Sequence, residues 1–173
     1  MCALLREVHL VRVKEVTIHT DGACRGNPGP GGYGVVMVSG RHRLELSEGY
    51  RRTTNNRMEL LAAIVALEKL KTACRVTLYS DSRYPVDAMT KGWLRGWKYR
   101  GWRTSNRQPV KNPDLWRRLE ATSEPHEIEW KWLRGHAGHR ENERCDELAV
   151  AASRGSRLEI DAAFEAPAED GLL

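Results

Sequence analysis

Four carboxylates, Asp21, Glu59, Asp81 and Asp146, are scattered along a 173-residue chain, yet each stands where an alternating apolar segment meets a turn or where a helix begins. Acids at the carboxyl ends of strands in an open α/β sheet face one crevice, however many residues separate them in sequence. Carboxylates brought together with nothing cationic between them repel and hold their protons more tightly, unless a divalent cation joins them. The chemistry this pattern suggests is a hard cation held by oxygen ligands.

Taken singly, each acid has a plainer reading. Asp21 ends the first strand and opens a glycine-dense run, residues 22–32, where backbone amides can approach a ribose or phosphodiester closely. The same run would serve as a flexible hairpin loop, and it lacks the Lys-Ser/Thr ending of a P-loop. With Asn56 as N-cap, Glu59 falls at N3 and can reach back to a backbone amide, as in a capping box. Asp81 immediately precedes Ser82 at a helix start, a common place for a capping aspartate. Asp146 lies within a helix, where an acid usually marks a solvated face. The conjunction of all four, rather than any one, favours a shared site.

The elements that must position these acids are read from the period of the apolar residues. Residues 11–20 alternate around Val11, Val13, Val16 and Ile18, and residues 33–38 and 44–50 read as two further strands joined at Ser39-Gly40, an antiparallel meander. Over residues 55–70 the period changes to 3.6, with Leu60, Ile64 and Leu67, accompanied by Leu61 and Val65, marking the first long helix. A short buried strand follows at 76–79, then a helix over 82–90 with Pro85 tolerated in its first turn, a strand over 127–133 and a closing helix over 141–153. Strands followed by β-α-β-α imply an α/β fold: a mixed five-stranded sheet, three antiparallel strands and then parallel ones, flanked by helices on both faces.

Length suits one domain. No run approaches the ~18 apolar residues of a membrane span, and the first 14 residues are broken by Arg6, Glu7, His9 and Arg12, so they lack the apolar core of a signal peptide. A cytoplasmic location is the expectation. Cys2, Cys24, Cys74 and Cys145 form no C-x-x-C pair, which favours reduced thiols over a disulfide framework or a zinc site. Of 28 Lys and Arg and 23 Asp and Glu, one Arg and five acids fall in residues 157–173, so residues 1–156 carry 27 basic and 18 acidic side chains. A basic body around an acidic cluster suits a polyanion that is drawn in and then met by metal.

Two stretches depart from the alternation of strands and helices. Residues 91–118 form an insertion with nine basic residues, one acid (Asp114) and four of the six Trp, and with helical pieces over 93–99 and 113–121. Trp93 and Trp97 are four apart and share a helix face, while Arg95, Lys98 and Arg100 can supply phosphate contacts; the plainer reading packs the Trp side chains onto the body. The chain after residue 153 is rich in Ala, Glu, Asp, Pro and Gly without periodicity, and residues 154–173 read as a disordered acidic tail. Residues 1–14 read as an extension leading into the first strand of a domain spanning 15–153.

Thr20-Asp21-Gly22, Asn55-Asn56-Arg57-Met58-Glu59-Leu60, Ser80-Asp81-Ser82-Arg83-Tyr84 and Gly135-His136-Ala137-Gly138-His139, the last followed by Asn142-Glu143-Arg144-Cys145-Asp146-Glu147-Leu148-Ala149, resemble the signature blocks of bacterial type 1 ribonuclease H. The resemblance covers about residues 15–153, and the basic Trp-rich insertion resembles that family's substrate-binding protrusion. It implies a ribonuclease H-like fold and an endonuclease that hydrolyses the RNA strand of RNA/DNA hybrids, leaving 5′-phosphate and 3′-hydroxyl ends. It further implies two Mg²⁺ ions, with Mn²⁺ as an alternative, held by Asp21, Glu59, Asp81 and Asp146, one activating water and the other stabilising the leaving oxygen. His136, in a loop between glycines, corresponds to a residue for proton transfer or product release; His139 matches the motif without an assigned role.

By the same resemblance Cys24, Gly26, Asn27, Asn55, Asn56 and Glu59 face the RNA ribose, whose 2′-hydroxyl distinguishes the strands, and Arg52, Thr54 and Asn112 hold a DNA phosphate. Trp93, Trp97 and Lys98 complete the expected hybrid contacts. Arg140 stands where relatives often carry Pro, beside the His136 loop. A monomer is expected, because no extended apolar stripe is left over. Two rival readings remain at this stage: a resolvase- or transposase-type DNA endonuclease of the same fold, and a non-catalytic hybrid-binding module.

Overall fold

A computed structural model describes residues 13–166. Three antiparallel strands come first: β1 (Lys14–Cys24), β2 (Gly29–Ser39) and β3 (His42–Thr53). Helix α1 (Asn55–Glu68) leads to β4 (Cys74–Ser80), followed by α2 (Arg83–Thr90), α3 (Trp93–Tyr99), α4 (Pro113–Ser123), β5 (Glu127–Trp132), α5 (Arg140–Ser153) and the short α6 (Ala162–Glu165). The sheet order is β3-β2-β1-β4-β5, with β4 parallel to both β1 and β5. The mixed five-stranded sheet anticipated from the alternation of periods is therefore present.

The alternation on the central strands explains how both faces are covered. Val16 and Ile18 of β1 and Val35 and Met37 of β2 enter one core with Leu60, Ile64 and Leu67 of α1. Val36, pointing the opposite way, lies with Cys145 and Ala149 of α5, all three fully buried. Helix α1 is buried almost all round because α4 covers the side turned away from the sheet. No helix among the described residues is long and apolar enough to cross a membrane.

Three boundaries differ from the sequence reading in ways that matter. The first strand continues past Thr20 to Cys24, so Asp21 lies inside β1; the expected positions 11 and 12, with the rest of residues 1–12, fall outside the described residues. Thr54, and not Asn56, is the N-cap of α1, its hydroxyl accepting from the Arg57 amide at 3.4 Å. Residues 154–166, expected to be disordered, instead pack along β3. Glu159 bridges Tyr50, donating its amide to the Gly49 carbonyl (2.8 Å) and accepting from the Arg51 amide (3.0 Å). Asp161 is buried and accepts from Thr53 Oγ1 at 2.7 Å and Arg57 Nε at 2.6 Å. Low hydrophobicity did not preclude order here, because a buried guanidinium supplies what apolar burial does not. Residues 167–173 lie outside the described residues.

The insertion is a folded protrusion on this frame. Gly92 and Asn112, both in the left-handed region, turn the chain into α3 and α4. Trp116 is 0 % exposed and donates its Nε1 hydrogen to Tyr84 Oη at 3.3 Å. Trp97 packs edge-on against it, centroids 5.2 Å apart, and Trp93 lies beyond Trp97 with 40 % of its surface free. The plainer, core reading thus holds for Trp116 and fades outward along α3.

Candidate active site

The parallel pairing of β1 with β4 places Thr20 beside Ser80, so the next residues, Asp21 and Asp81, leave adjacent strands side by side. Glu59 arrives from α1, and it can do so because residue 22 is Gly: a Cβ there would stand 2.5 Å from the Glu59 amide nitrogen and 2.8 Å from the Met58 carbonyl carbon. The first turn of α1 therefore presses directly on β1. One oxygen from each of Asp21, Glu59 and Asp81 lies within 4.8 Å of the other two. The capping alternatives are removed by the same geometry. Thr54 caps α1 and leaves Glu59 pointing at the sheet, and Ser82 caps α2, its hydroxyl accepting from the Tyr84 amide at 3.4 Å, which leaves the Asp81 carboxylate free of that duty.

No Lys or Arg pairs with any of these three acids among the described residues. Asp21 Oδ1 accepts from the Gly22 amide at 2.8 Å and Glu59 Oε1 from Asn55 Nδ2 at 3.3 Å, while Glu59 Oε2 is buried without a partner. Burial first, and then the charges of Asp81 and Asp146, push Asp21 up to about 8. Burial, followed by Asp21 and Asp81, holds Glu59 well above the usual carboxylate range. Oxygen-only donors, mutual repulsion and an orphaned buried oxygen fit a hard divalent cation. Asp146, half-buried in the second turn of α5, lies outside the three-oxygen group but close enough for its charge to act on Asp21.

The other residues singled out in the sequence fall into distinct surroundings. Asn27 Oδ1 accepts from the Asn55 amide at 3.2 Å, tying the glycine-rich loop to the start of α1, with Gly26 beside it at positive φ. Cys24 is half-buried, its thiol 3.5 Å from the carbonyls of Gly29 and Thr53. Asn56 is exposed on the first turn. Asn112 donates from Nδ2 to Tyr84 Oη at 3.2 Å and accepts from Arg57 at 3.4 Å, Arg52 is exposed with its guanidinium 5.4 Å from the Phe164 ring centroid, and Lys98 pairs with Glu120 at 2.6 Å. His136 is exposed in the loop between β5 and α5, with φ of 52°, a left-handed conformation uncommon for residues other than Gly.

Several residues with structural weight at this site went unassigned in the sequence. Trp132 donates Nε1 to the Asp81 carbonyl at 2.8 Å, and Asn142 donates Nδ2 to Asp81 Oδ2 at 3.2 Å. Arg57, 4 % exposed, joins α1 to both Asp114 and Asp161. Arg57 and Asn142 sit inside the quoted motifs, but only their three-dimensional partners give them a role.

The RNase H family model matches residues 13–154. A ribonuclease H of Desulforamulus reducens is 58 % identical over 149 residues, covering 86 % of this chain and 94 % of that protein. Among solved structures, LC9-RNase H1, described as a type 1 RNase H with the type 2 active-site motif, superposes with a TM-score of 0.76 at 36 % identity over 85 % of this chain and 75 % of that one. LC11-RNase H1, solved in complex with an RNA/DNA hybrid, superposes with a TM-score of 0.57 at 28 % identity, covering 80 % and 96 % of the two chains. With this match spanning the strands and helices that bring Asp21, Glu59 and Asp81 together, the chain belongs to the ribonuclease H family.

Proposed function

We propose that this protein cuts the RNA strand of RNA/DNA hybrids at the Asp21–Glu59–Asp81 cluster, leaving 5′-phosphate and 3′-hydroxyl ends. The observation that carries the reading is the buried oxygen cluster which, among the described residues, has no basic partner and includes one oxygen with no hydrogen bond. Asp21, Glu59 and Asp81, with Asp146 from α5, would hold two Mg²⁺ ions, Mn²⁺ serving in their place. When bound, such ions lower the pKa of water and neutralise charge developing on the phosphate. Everything else is done by the chain itself.

Asn27 and Asn55 brace the glycine-rich loop against α1, so that the loop amides, the Cys24 and Gly26 region and the side chains of Asn55 and Asn56 line the approach to a ribose 2′-hydroxyl. Arg52, Thr54 and Asn112 carry donors suited to a phosphate of the DNA strand. Trp93 and Trp97 offer a ring surface to sugars, and Lys98 a cation, on the protrusion. His136, exposed in the loop between β5 and α5 next to Gly135, serves proton transfer or product release.

The test is cleavage of a labelled hybrid, with duplex DNA and duplex RNA in parallel, with and without Mg²⁺. Mg²⁺-dependent cutting of the hybrid alone is expected, and Asp21→Asn should abolish it; equal activity of that variant overturns the proposal. Binding without cleavage favours a hybrid-binding module, and cutting of duplex DNA a resolvase-type enzyme. His136→Ala should lower kcat by about 100-fold or more without abolishing metal binding.

A further inference from the structure

Asp81 differs from its two neighbours in how it is held. Asp21 is fixed inside β1 and Glu59 inside α1, but Asp81 stands one residue beyond the end of β4, in the turn before α2. A carboxylate on a turn keeps no orientation from backbone pairing alone. Three other segments supply it. Trp132, at the end of β5, holds the Asp81 main chain through Nε1. Gly135 closes over the carboxylate: a Cβ there would stand 2.5 Å from Asp81 Oδ2. Asn142, 2 % exposed on the first turn of α5, donates to the same oxygen at 3.2 Å.

Asn142 pays for this contact. Its own Oδ1 is buried without a hydrogen-bond partner, a costly state for an amide. Turning the amide over does not relieve it, because Oδ1 would then face Asp81 Oδ2, acceptor against acceptor. The orientation with Nδ2 toward Asp81 is thus imposed by the carboxylate. An amide is also the fitting donor for the purpose. It directs the oxygen by a hydrogen bond while adding no positive charge, whereas Lys or Arg at this position would neutralise the acid and compete with a cation.

We infer that Asn142, working with Gly135, is a positioning residue that sets the Asp81 carboxylate for divalent-cation binding and joins that carboxylate to both ends of the His136 loop. The inference rests on the cation-binding reading above. Gly135 immediately precedes His136, and Asn142 lies three residues beyond His139, so the loop that carries His136 starts and finishes on contacts to one acid. Orienting Asp81 and anchoring the loop are the same act.

The experiment is calorimetric titration of the substrate-free protein with Mn²⁺, for the wild type, Asn142→Ala and Gly135→Ala, alongside metal-free unfolding temperatures. In Gly135→Ala the new methyl meets only the end of a side chain and the backbone needs no positive φ, so the carboxylate shifts while the fold stays. Both variants should bind Mn²⁺ about tenfold more weakly, the usual range for an outer residue that orients a ligand. Both should regain hybrid cleavage as Mn²⁺ is raised, which a collapsed site would not do. Unchanged Mn²⁺ affinity in Gly135→Ala, or in a folded Asn142→Ala, overturns the inference. A wild type that fails to bind Mn²⁺ overturns the cation-binding reading itself, which separates the two failures.

Discussion

The first two turns of α1 bury two ionisable side chains two residues apart, Arg57 and Glu59, and the protein surrounds them in opposite ways. Arg57 spends every N–H it has: Nε on Asp161, and its terminal nitrogens on Asp114, Asp161 and Asn112, at 2.6 to 3.4 Å. Its proton is held more firmly than usual. Burial alone would loosen it, but the hydrogen bonds and charges of Asp114 and Asp161 prevail. Among the described residues Glu59 receives a single side-chain hydrogen bond, has no cation beside it and faces two further acids. A buried charge that serves the fold is matched on the spot, and one left in conflict with its neighbours is reserved for something the chain does not itself contain.

The sharpest way to test that contrast is Glu59→Gln, which keeps the shape and removes the conflict. Hybrid cleavage should fall by about a thousandfold, as expected where several kcal/mol of charge stabilisation depend on the ligand set, while the metal-free protein melts at a higher temperature than the wild type. Simultaneous loss of activity and of metal-free stability would break the comparison. On the other side, Arg57→Met strands two acids and should cost about 3–5 kcal/mol, or roughly 10 °C in Tm, in thermal unfolding. Asp161→Ala leaves Asp114 on Arg57 and should cost less, about 2 kcal/mol.

A smaller effect concerns pH. The folded-state pKa of Asp21 lies far above the ordinary value of 3.8, so between 3.8 and about 8 the folded protein retains a proton that the unfolded chain has released. Stability of the metal-free protein therefore falls as pH rises through that window. With chelator present, Tm should drop by about 5 °C between pH 5 and pH 8, and Asp21→Asn should flatten the slope. A Tm that climbs over the same range in the wild type would contradict the repulsion at this site.

The acids of β1 and β4 were legible because the alternation of Val16 and Ile18, and of Val76 and Leu78, gives way at Asp21 and Asp81, although β1 itself runs on to Cys24. The boundary of α1 was not, since Thr53, Thr54, Asn55 and Asn56 all make acceptable caps and a shift of two residues turns Glu59 from a capping acid into a buried one. The segment after α5 was misread for a different reason. Its composition lacks a core, and the partner that orders it, Arg57, lies 104 residues upstream of Asp161. Asn142 lies within a motif, yet what it does depends on an acid 61 residues away. Local pattern reports what a residue can do, and long-range pairing decides what it does.

β3 is an outer strand of the sheet, and an outer strand offers its unpaired amides and carbonyls to any extended chain that meets it. Glu159 occupies the Gly49 carbonyl and the Arg51 amide, so part of that border is already taken by the protein's own backbone. A form of this protein ending at Ser153 would keep Asp21, Glu59, Asp81 and Asp146 and expose a longer stretch of open strand, trading a closed border for a tendency to self-associate at high concentration.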